Sequence, residues 1–175
     1  LSLVARFSSG HKVLIFGSAW AKETELAIQI SNNLPQGWRV VFAPHEIDEN
    51  KIQSFESNLN LNVARYSKVN NENIADFEVL VVDTIGDLAR MYKYADIAIV
   101  GGGFTDGIHN ILEPLVFGCP TLFGPSHNKF WEGAASISEG VGFEFKNTLE
   151  AEETIYSLIN DSSYLNKLKG KSHDF

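Results

Sequence analysis

Residues 96–125 read DIAIVGGGFTDGIHNILEPLVFGCPTLFGP and contain the features that decide the fold. The β-branched run Ile97–Val100 is typical of a buried strand, and three glycines follow it directly. His109 and Asn110 then open a predicted helix that carries Glu113. Glycine lacks a Cβ, and a helix N-terminus presents free N–H groups. The stretch therefore predicts a binding corner for an anion, with phosphate as the first candidate.

The rest of the chain continues this alternation of short apolar runs and longer amphipathic segments. The predicted strands are Lys12–Phe16, Arg39–Ala43, Asn62–Arg65, Val79–Val82, Ile97–Val100, Pro120–Phe123 and Gly142–Phe145. The predicted helices are Trp20–Asn33, Asp48–Leu59, Gly86–Tyr94, His109–Phe117, Phe130–Glu139 and Leu149–Asn160. We therefore expect an α/β fold, a Rossmann-like, doubly wound and mainly parallel sheet of six or seven strands with helices on both faces.

Turn residues follow five of the predicted strands directly. They are Gly17-Ser18, Pro44-His45, Asp83-Thr84, Gly101-Gly102-Gly103 and Gly124-Pro125. In a parallel sheet these segments share the carboxyl edge, which is where open α/β sheets bind ligands. The distribution of glycine and polar residues therefore predicts one binding site at that edge.

Composition excludes several classes of function. The net charge of −8 is unsuited to a nucleic-acid surface, which needs a basic face, and to docking on anionic lipid. Cys119 is the only cysteine, and in Gly-Cys-Pro we expect it to be buried rather than reactive. The five histidines are scattered without ligand spacing, so we expect no zinc site and no other cofactor. No run of about 18 apolar residues predicts a membrane helix.

The length of 175 residues suits a single domain. The only methionine is Met91, so we interpret the chain as part of a longer protein, with residues 1–11 as the remnant of an interdomain linker. Removal of an initiator residue is the alternative.

Individual site candidates have simpler interpretations as well. Glu113 is a candidate ligand for a ribose diol, or an acid that stabilises a helix dipole. Asn110 alone is better explained as a helix cap, and a loop histidine such as His45 is more often just solvated. Thr84 and Asp87 have the spacing of a capping box. Gly17-Ser18 lacks the full dinucleotide fingerprint and any Walker lysine, which counts against a nicotinamide enzyme and an NTPase.

These motifs, taken in order, resemble the Kdo (3-deoxy-D-manno-octulosonic acid) transferases of lipid A assembly. The resemblance covers roughly residues 12–145 and is most specific in the block His109-Asn110-Ile111-Leu112-Glu113-Pro114. It rests on that block together with Phe16-Gly17-Ser18, Ala43-Pro44-His45, Asp83-Thr84-Ile85-Gly86-Asp87-Leu88 and Gly101-Gly102-Gly103-Phe104.

The resemblance implies a GT-B glycosyltransferase, in which two Rossmann-like domains face each other across a cleft. It implies that residues 12–175 form the C-terminal domain that binds the donor CMP-Kdo. The N-terminal domain of such enzymes binds the lipid A precursor, contacts the membrane and supplies the catalytic carboxylate, so no catalytic residue is expected in this chain. Transfer is expected to invert the anomeric centre without a metal, at the cytoplasmic side of a bacterial inner membrane.

The resemblance also implies roles for individual residues. Glycines and backbone amides bind the phosphate, Glu113 binds the ribose, and Pro44, His45 and the turn at residues 84–88 border the cytosine. The implied donor-binding residues are Gly17, Ser18, Pro44, His45, Thr84, Ile85, Gly86, Asp87, Leu88, Gly102, Gly103, Gly107, His109, Asn110 and Glu113.

The chain departs from the family pattern at three places. Pro44-His45-Glu46 replaces Pro-Arg-His, Asp87 replaces a glutamate, and Ile108 replaces a glycine. Two alternatives stay open: a GT-B glycosyltransferase or sugar epimerase that uses another nucleotide, and a non-catalytic α/β module that binds a phosphorylated ligand.

Overall fold

The computed structural model describes residues 2–175 and contains one seven-stranded sheet. The strand order is β3-β4-β2-β1-β5-β6-β7, and every neighbouring pair is parallel. The strands are β1 (Lys12–Ala19), β2 (Trp38–Pro44), β3 (Val63–Arg65), β4 (Val79–Val81), β5 (Ile97–Val100), β6 (Thr121–Phe123) and β7 (Gly142–Glu144). The predicted fold class is confirmed, and so is β3, the weakest of the predicted strands.

Eight α-helices accompany the strands in the described residues. They are α1 (Leu3–Phe7), α2 (Ala21–Asn32), α3 (Glu49–Ser57), α4 (Leu88–Met91), α5 (Leu112–Val116), α6 (Trp131–Ser138), α7 (Thr148–Asn160) and α8 (Ser162–Asp174). Two 3₁₀ turns, Ile74–Asp76 and Tyr92–Tyr94, complete the set.

The strands are apolar on both faces because helices cover both sides of the sheet. Alternate residues of β1 show this division, since Leu14 and Phe16 face one apolar cluster whereas Val13 and Ile15 face the other. The first cluster contains buried residues of α2, α3, α7 and α8, and the second contains those of α1 and α4. The sheet is therefore packed on both faces, and the loops at its carboxyl edge begin from buried strands.

Two helices lie where none was predicted. In α1, Val4 and Phe7 are buried, and the side chain of Arg39 donates to the carbonyl oxygen of Phe7. In α8, Leu165 and Leu168 are buried. The interpretation of residues 1–11 as an interdomain linker stays a prediction, although residues 3–7 are helical and packed on the core.

Two predicted helices were wrong in extent. The helix predicted from His109 begins only at Leu112, after an irregular segment in which the backbone N–H of His109 donates to Gly101 O (3.0 Å) and Asn110 Oδ1 accepts from Leu112 N (3.0 Å). His109 and Glu113 therefore do not share a helical face. The predicted helix Gly86–Tyr94 is a short α4 followed by a 3₁₀ turn.

Candidate functional site

The carboxyl edge contains a topological switch point between β1 and β5. β1 pairs with β2 on one side and with β5 on the other, so the connections leaving β1 and β5 diverge. Ligands of doubly wound sheets bind in the crevice at such a point. Gly17 and Ser18 lie inside β1 rather than after it, in a bulge where the register with β2 shifts. Ser18 adopts a φ of 51°, which is unusual for a residue other than glycine.

The glycines after β5 allow the backbone of the protein to pack against itself. A Cβ on Gly101 would overlap Ser18 O, and one on Gly103 would lie 2.5 Å from Gly124 N. Gly102 has a φ of 94°, and its missing Cβ leaves room for Gly107 O. These glycines therefore let three loops pack together at the switch point, and the close approach of a ligand to them stays a prediction.

Only some of the backbone amides that were predicted to bind the phosphate lack a partner within the described residues. The N–H of Ile108 donates to Ser126 O (3.2 Å) and that of His109 to Gly101 O. Within residues 2–175, no hydrogen-bond partner is present for the N–H groups of Gly102, Gly103, Gly107 and Asn110. Gly102 and Gly103 are buried, whereas Gly107 is half-buried and Asn110 is exposed.

Three aromatic side chains from three loops form a ring cluster beside this corner. Trp20 and His45 stack with their centroids 4.0 Å apart, and the centroid of His45 lies 4.8 Å from that of His109. The indole Nε1 of Trp20 donates to His109 Nε2 at 3.2 Å. We define Trp20, His45 and His109 as the ring cluster. Burial, reinforced by the nearby His45, lowers the pKa of His109 below its usual range.

Glu113 lies on the other side of the switch point. Its Oε1 accepts from Asn110 Nδ2 at 3.2 Å, and its charge contributes to a raised pKa of Tyr92, for which burial is the main cause. The Tyr92 hydroxyl occupies the space that a side chain at Gly17 would need. Tyr92 is thereby the neighbour of Gly17, and Glu113 Oε2 forms no hydrogen bond within residues 2–175.

The turn at residues 84–88 is held by hydrogen bonds of its own. Thr84 Oγ1 donates to Asp87 Oδ2 at 2.7 Å, and Arg90 pairs with Asp87. Thr84 is not the helix N-cap that the sequence predicted, because α4 begins at Leu88 and Asp87 precedes it. Leu88 packs towards Gly17, but no hydrogen bond in the described residues connects Thr84, Ile85, Gly86 or Asp87 to the other candidates.

A groove of about 700 Å³ lies between α2 and α3 and reaches Trp20 and His45 of the ring cluster. Its floor includes the stacked rings of Phe42 and Phe55, and Pro44 and His45 form part of its upper wall. The glycines after β5 and Glu113 do not line it. The groove therefore meets the candidate site only at Pro44 and the ring cluster.

A second polar pair, absent from the sequence prediction, joins the ends of β6 and β7. His127 Nε2 lies 2.5 Å from Glu144 Oε2, and His127 is buried with no hydrogen-bond partner for Nδ1 in the described residues. The adjacent Ser126 bonds Gly103 O through its N–H. This pair holds the loop after β6, whose Ser126 contacts Gly103.

Cys119 is buried, as its sequence context predicts. It donates to the carbonyl oxygens of Tyr92 and Ala95, and has a pKa raised to about 12 by burial. No group of three or more potential metal ligands occurs among residues 2–175. No helix in that range is long and apolar enough to cross a membrane. Trp131 is exposed on α6, and Trp38 is buried at the amino end of β2.

Sequence comparison places the chain beside known transferases. It is 35% identical over 117 residues to the 3-deoxy-D-manno-octulosonic acid transferase of Chlamydophila psittaci, covering 65% of this chain and 27% of that protein. It is 28% identical over 175 residues to the enzyme of the same name from Rickettsia prowazekii, covering 97% of this chain and 37% of that protein. The chain is a relative of the Kdo transferases. It spans about a quarter to about a third of the length of these two relatives, and no protein-family profile matches it.

Structural comparison agrees with this relationship. The C-terminal CMP-Kdo binding domain of WaaA from Acinetobacter baumannii superposes with a TM-score of 0.79 at 22% identity, over 96% of this chain and 90% of that domain. The likeness confirms the Rossmann-like fold of one GT-B half.

Proposed function

We propose that this chain is the donor-binding domain of a glycosyltransferase that moves Kdo from CMP-Kdo to a lipid A precursor in lipopolysaccharide core biosynthesis. The observation that carries the proposal is the meeting of free amides, the ring cluster and Glu113 at one switch point, in a relative of the Kdo transferases. The relative in A. baumannii is described as binding CMP-Kdo through the domain of the same fold.

Each component suits one part of a nucleotide. The unpaired N–H groups of Gly102, Gly103, Gly107 and Asn110 suit phosphate oxygens, because such oxygens accept the hydrogen bonds that these groups do not make within the described part of the chain. The free carboxylate oxygen of Glu113 can accept a hydrogen bond from a ribose hydroxyl. The exposed His45 ring, stacked on Trp20, offers a surface on which a pyrimidine stacks.

The remaining predicted residues have supporting positions in this proposal. Gly17 and Ser18 form the floor between β1 and β5, and Pro44 borders the base beside His45. In this proposal the turn at residues 84–88 borders the cytosine, and Leu88 of the turn packs towards Gly17 on the floor of the site.

The chemistry of the chain is binding and charge stabilisation. When the bond between Kdo and CMP breaks, negative charge develops on the departing phosphate, and fixed N–H dipoles aimed at it lower the barrier. The acceptor lipid, the base that takes its hydroxyl proton and the membrane contact belong to the rest of the protein. We place the whole enzyme at the cytoplasmic side of the inner membrane.

The test is calorimetric titration of this chain with CMP, UMP and ADP. We expect CMP to bind most tightly, and cytidine to bind more weakly than CMP because it lacks the phosphate. Tighter binding of UMP or ADP would replace the proposal with another GT-B transferase or an epimerase. Absence of binding to all three nucleotides would favour a non-catalytic module for a different phosphorylated ligand.

A further inference from the structure

The hydrogen bond between Trp20 and His109 determines the protonation of the histidine ring. An indole Nε1 can only donate, so His109 Nε2 must accept with its lone pair. A neutral imidazole carries a single proton, which then resides on Nδ1. Protonation of Nε2 would set two N–H groups against each other across 3.2 Å.

The surroundings of Trp20 hold the indole in this position. The backbone N–H of Trp20 donates to Glu23 Oε2 at 3.0 Å, and Glu23 is fully buried. The indole face stacks on His45. On the other side, Cδ2 of His109 lies in the space that a Cβ on Gly102 would need. The His109 ring is therefore confined between the indole and the glycine corner.

This confinement leaves one polar atom of the ring unused. No group within residues 2–175 hydrogen-bonds to His109 Nδ1, and this nitrogen is not among their fully buried unpaired polar atoms. The ring is half-buried and borders the unpaired amide of Gly102. An N–H at Nδ1 is thus a further hydrogen-bond donor of the site, and it lies on the ring edge opposite Cδ2, the atom that meets Gly102.

We propose that Trp20 is a positioning residue that holds His109 in the Nδ1–H tautomer, so that this N–H donates to a phosphate oxygen of the bound nucleotide. The inference rests on the proposed function for the identity of the ligand, but the tautomer itself is a property of the free protein. Burial and the neighbouring His45 also keep the ring neutral by lowering the pKa of His109. A neutral donor of this kind binds phosphate through a directional hydrogen bond rather than through net charge.

The first test reads the tautomer in the free chain by long-range ¹H–¹⁵N NMR of the histidine rings. We expect His109 to show a protonated Nδ1 and a bare Nε2. In Trp20→Phe, which keeps an aromatic ring against His45 but removes the indole N–H, we expect a mixture of tautomers. A wild-type ring protonated at Nε2, or a tautomer unchanged in Trp20→Phe, would overturn the proposal.

The second test compares CMP with cytidine in the wild type, in Trp20→Phe and in Trp38→Phe. Trp38 is the matched control, because it is a tryptophan at the opposite edge of the sheet. Loss of one oriented hydrogen bond to phosphate should make Trp20→Phe bind CMP roughly threefold to tenfold more weakly, and the loss should be smaller for cytidine, which has no phosphate. Equal weakening of both ligands, no weakening, or the same loss in Trp38→Phe would contradict a phosphate contact. A wild-type chain that does not bind CMP would reject the proposed function, whereas the NMR result would still decide the tautomer.

Discussion

Gly101 illustrates how closely the loops pack at the switch point. Its missing Cβ leaves space that is filled by the backbone of Ser18, which cannot move without disrupting β1. We expect Gly101→Ala to destabilise the chain by about 3 kcal/mol or more. The control is Gly170→Ala in α8, where no heavy atom lies within 4 Å of the new Cβ.

That control should instead raise the free energy of unfolding by about 0.5–1 kcal/mol, because alanine favours a helix interior. Urea unfolding followed by circular dichroism measures both variants. Equal stability of Gly101→Ala and the wild type would show that the corner is not packed as described.

Glu113 is the residue whose functional role is most open to a simple test. If its carboxylate binds the ribose, Glu113→Ala should weaken CMP binding by about one to two decades, since a charge-assisted hydrogen bond contributes about 1.5–3 kcal/mol. The same variant should bind 2′,3′-dideoxy-CMP as the wild type does. Glu132→Ala, which removes an acid from the first turn of α6, is the matched control.

Calorimetry on the three proteins gives the answer. Glu113 would not bind the ribose if Glu113→Ala left the affinity for CMP unchanged, or if it weakened both nucleotides equally. Its role would then be that of an acid near the start of a helix that accepts a hydrogen bond from Asn110.

At the scale of elements, α8 contributes more to the fold than its polar sequence suggests. Leu165 is fully buried, and Lys169 pairs with Asp96 at 2.7 Å, beside the start of β5. We expect Leu165→Ala to lower the free energy of unfolding by about 2–5 kcal/mol, as a large-to-small change in a packed core does. Leu149→Ala, at an exposed position of α7, should change it by less than about 0.5 kcal/mol. Comparable stabilities of the two variants would mean that α8 is not part of the core.

The elements that were predicted from sequence are those with a strong local signal. Strands buried on both faces read as continuous apolar runs, and this is why all seven were found. Helix α8 has only a few inward apolar residues among lysines and serines, so its periodicity is weak. The late start of α5 follows from the contact of His109 with Gly101, which is distant in sequence and overrides the local pattern.

The candidate site was predictable in part for the same reason. The sequence predicted a site at the carboxyl edge because turn residues follow the strands. The predicted site residues did not include Trp20, whose role depends on rings from three separate loops. Nor did it separate free amides from paired ones, because the bonds of Ile108 and His109 are tertiary contacts.

At the scale of the whole molecule, we expect this chain by itself to bind the donor without transferring Kdo. Removing the acceptor proton needs a base within about 3 Å of the hydroxyl. The candidate carboxylates have other roles: Asp87 bonds Thr84 and Arg90, and Glu113 bonds Asn110 with one oxygen and, in the proposed function, the ribose with the other. The assay incubates the chain with freshly generated CMP-Kdo and lipid A precursor, beside the full-length enzyme as a positive control. Kdo-modified lipid produced by the chain alone would show that the base lies within these 175 residues.

The most direct test of the account is a CMP titration of the ¹⁵N-labelled chain, followed by ¹H–¹⁵N correlation spectra. We predict that the largest shifts fall on the unpaired amides of Gly102, Gly103, Gly107 and Asn110 and on the Trp20 indole N–H, with smaller changes at the paired amide of Ile108. A different groove lies around Arg65, between α3 and β3. Shifts confined to that groove, or no shifts at all, would contradict a donor site at the switch point.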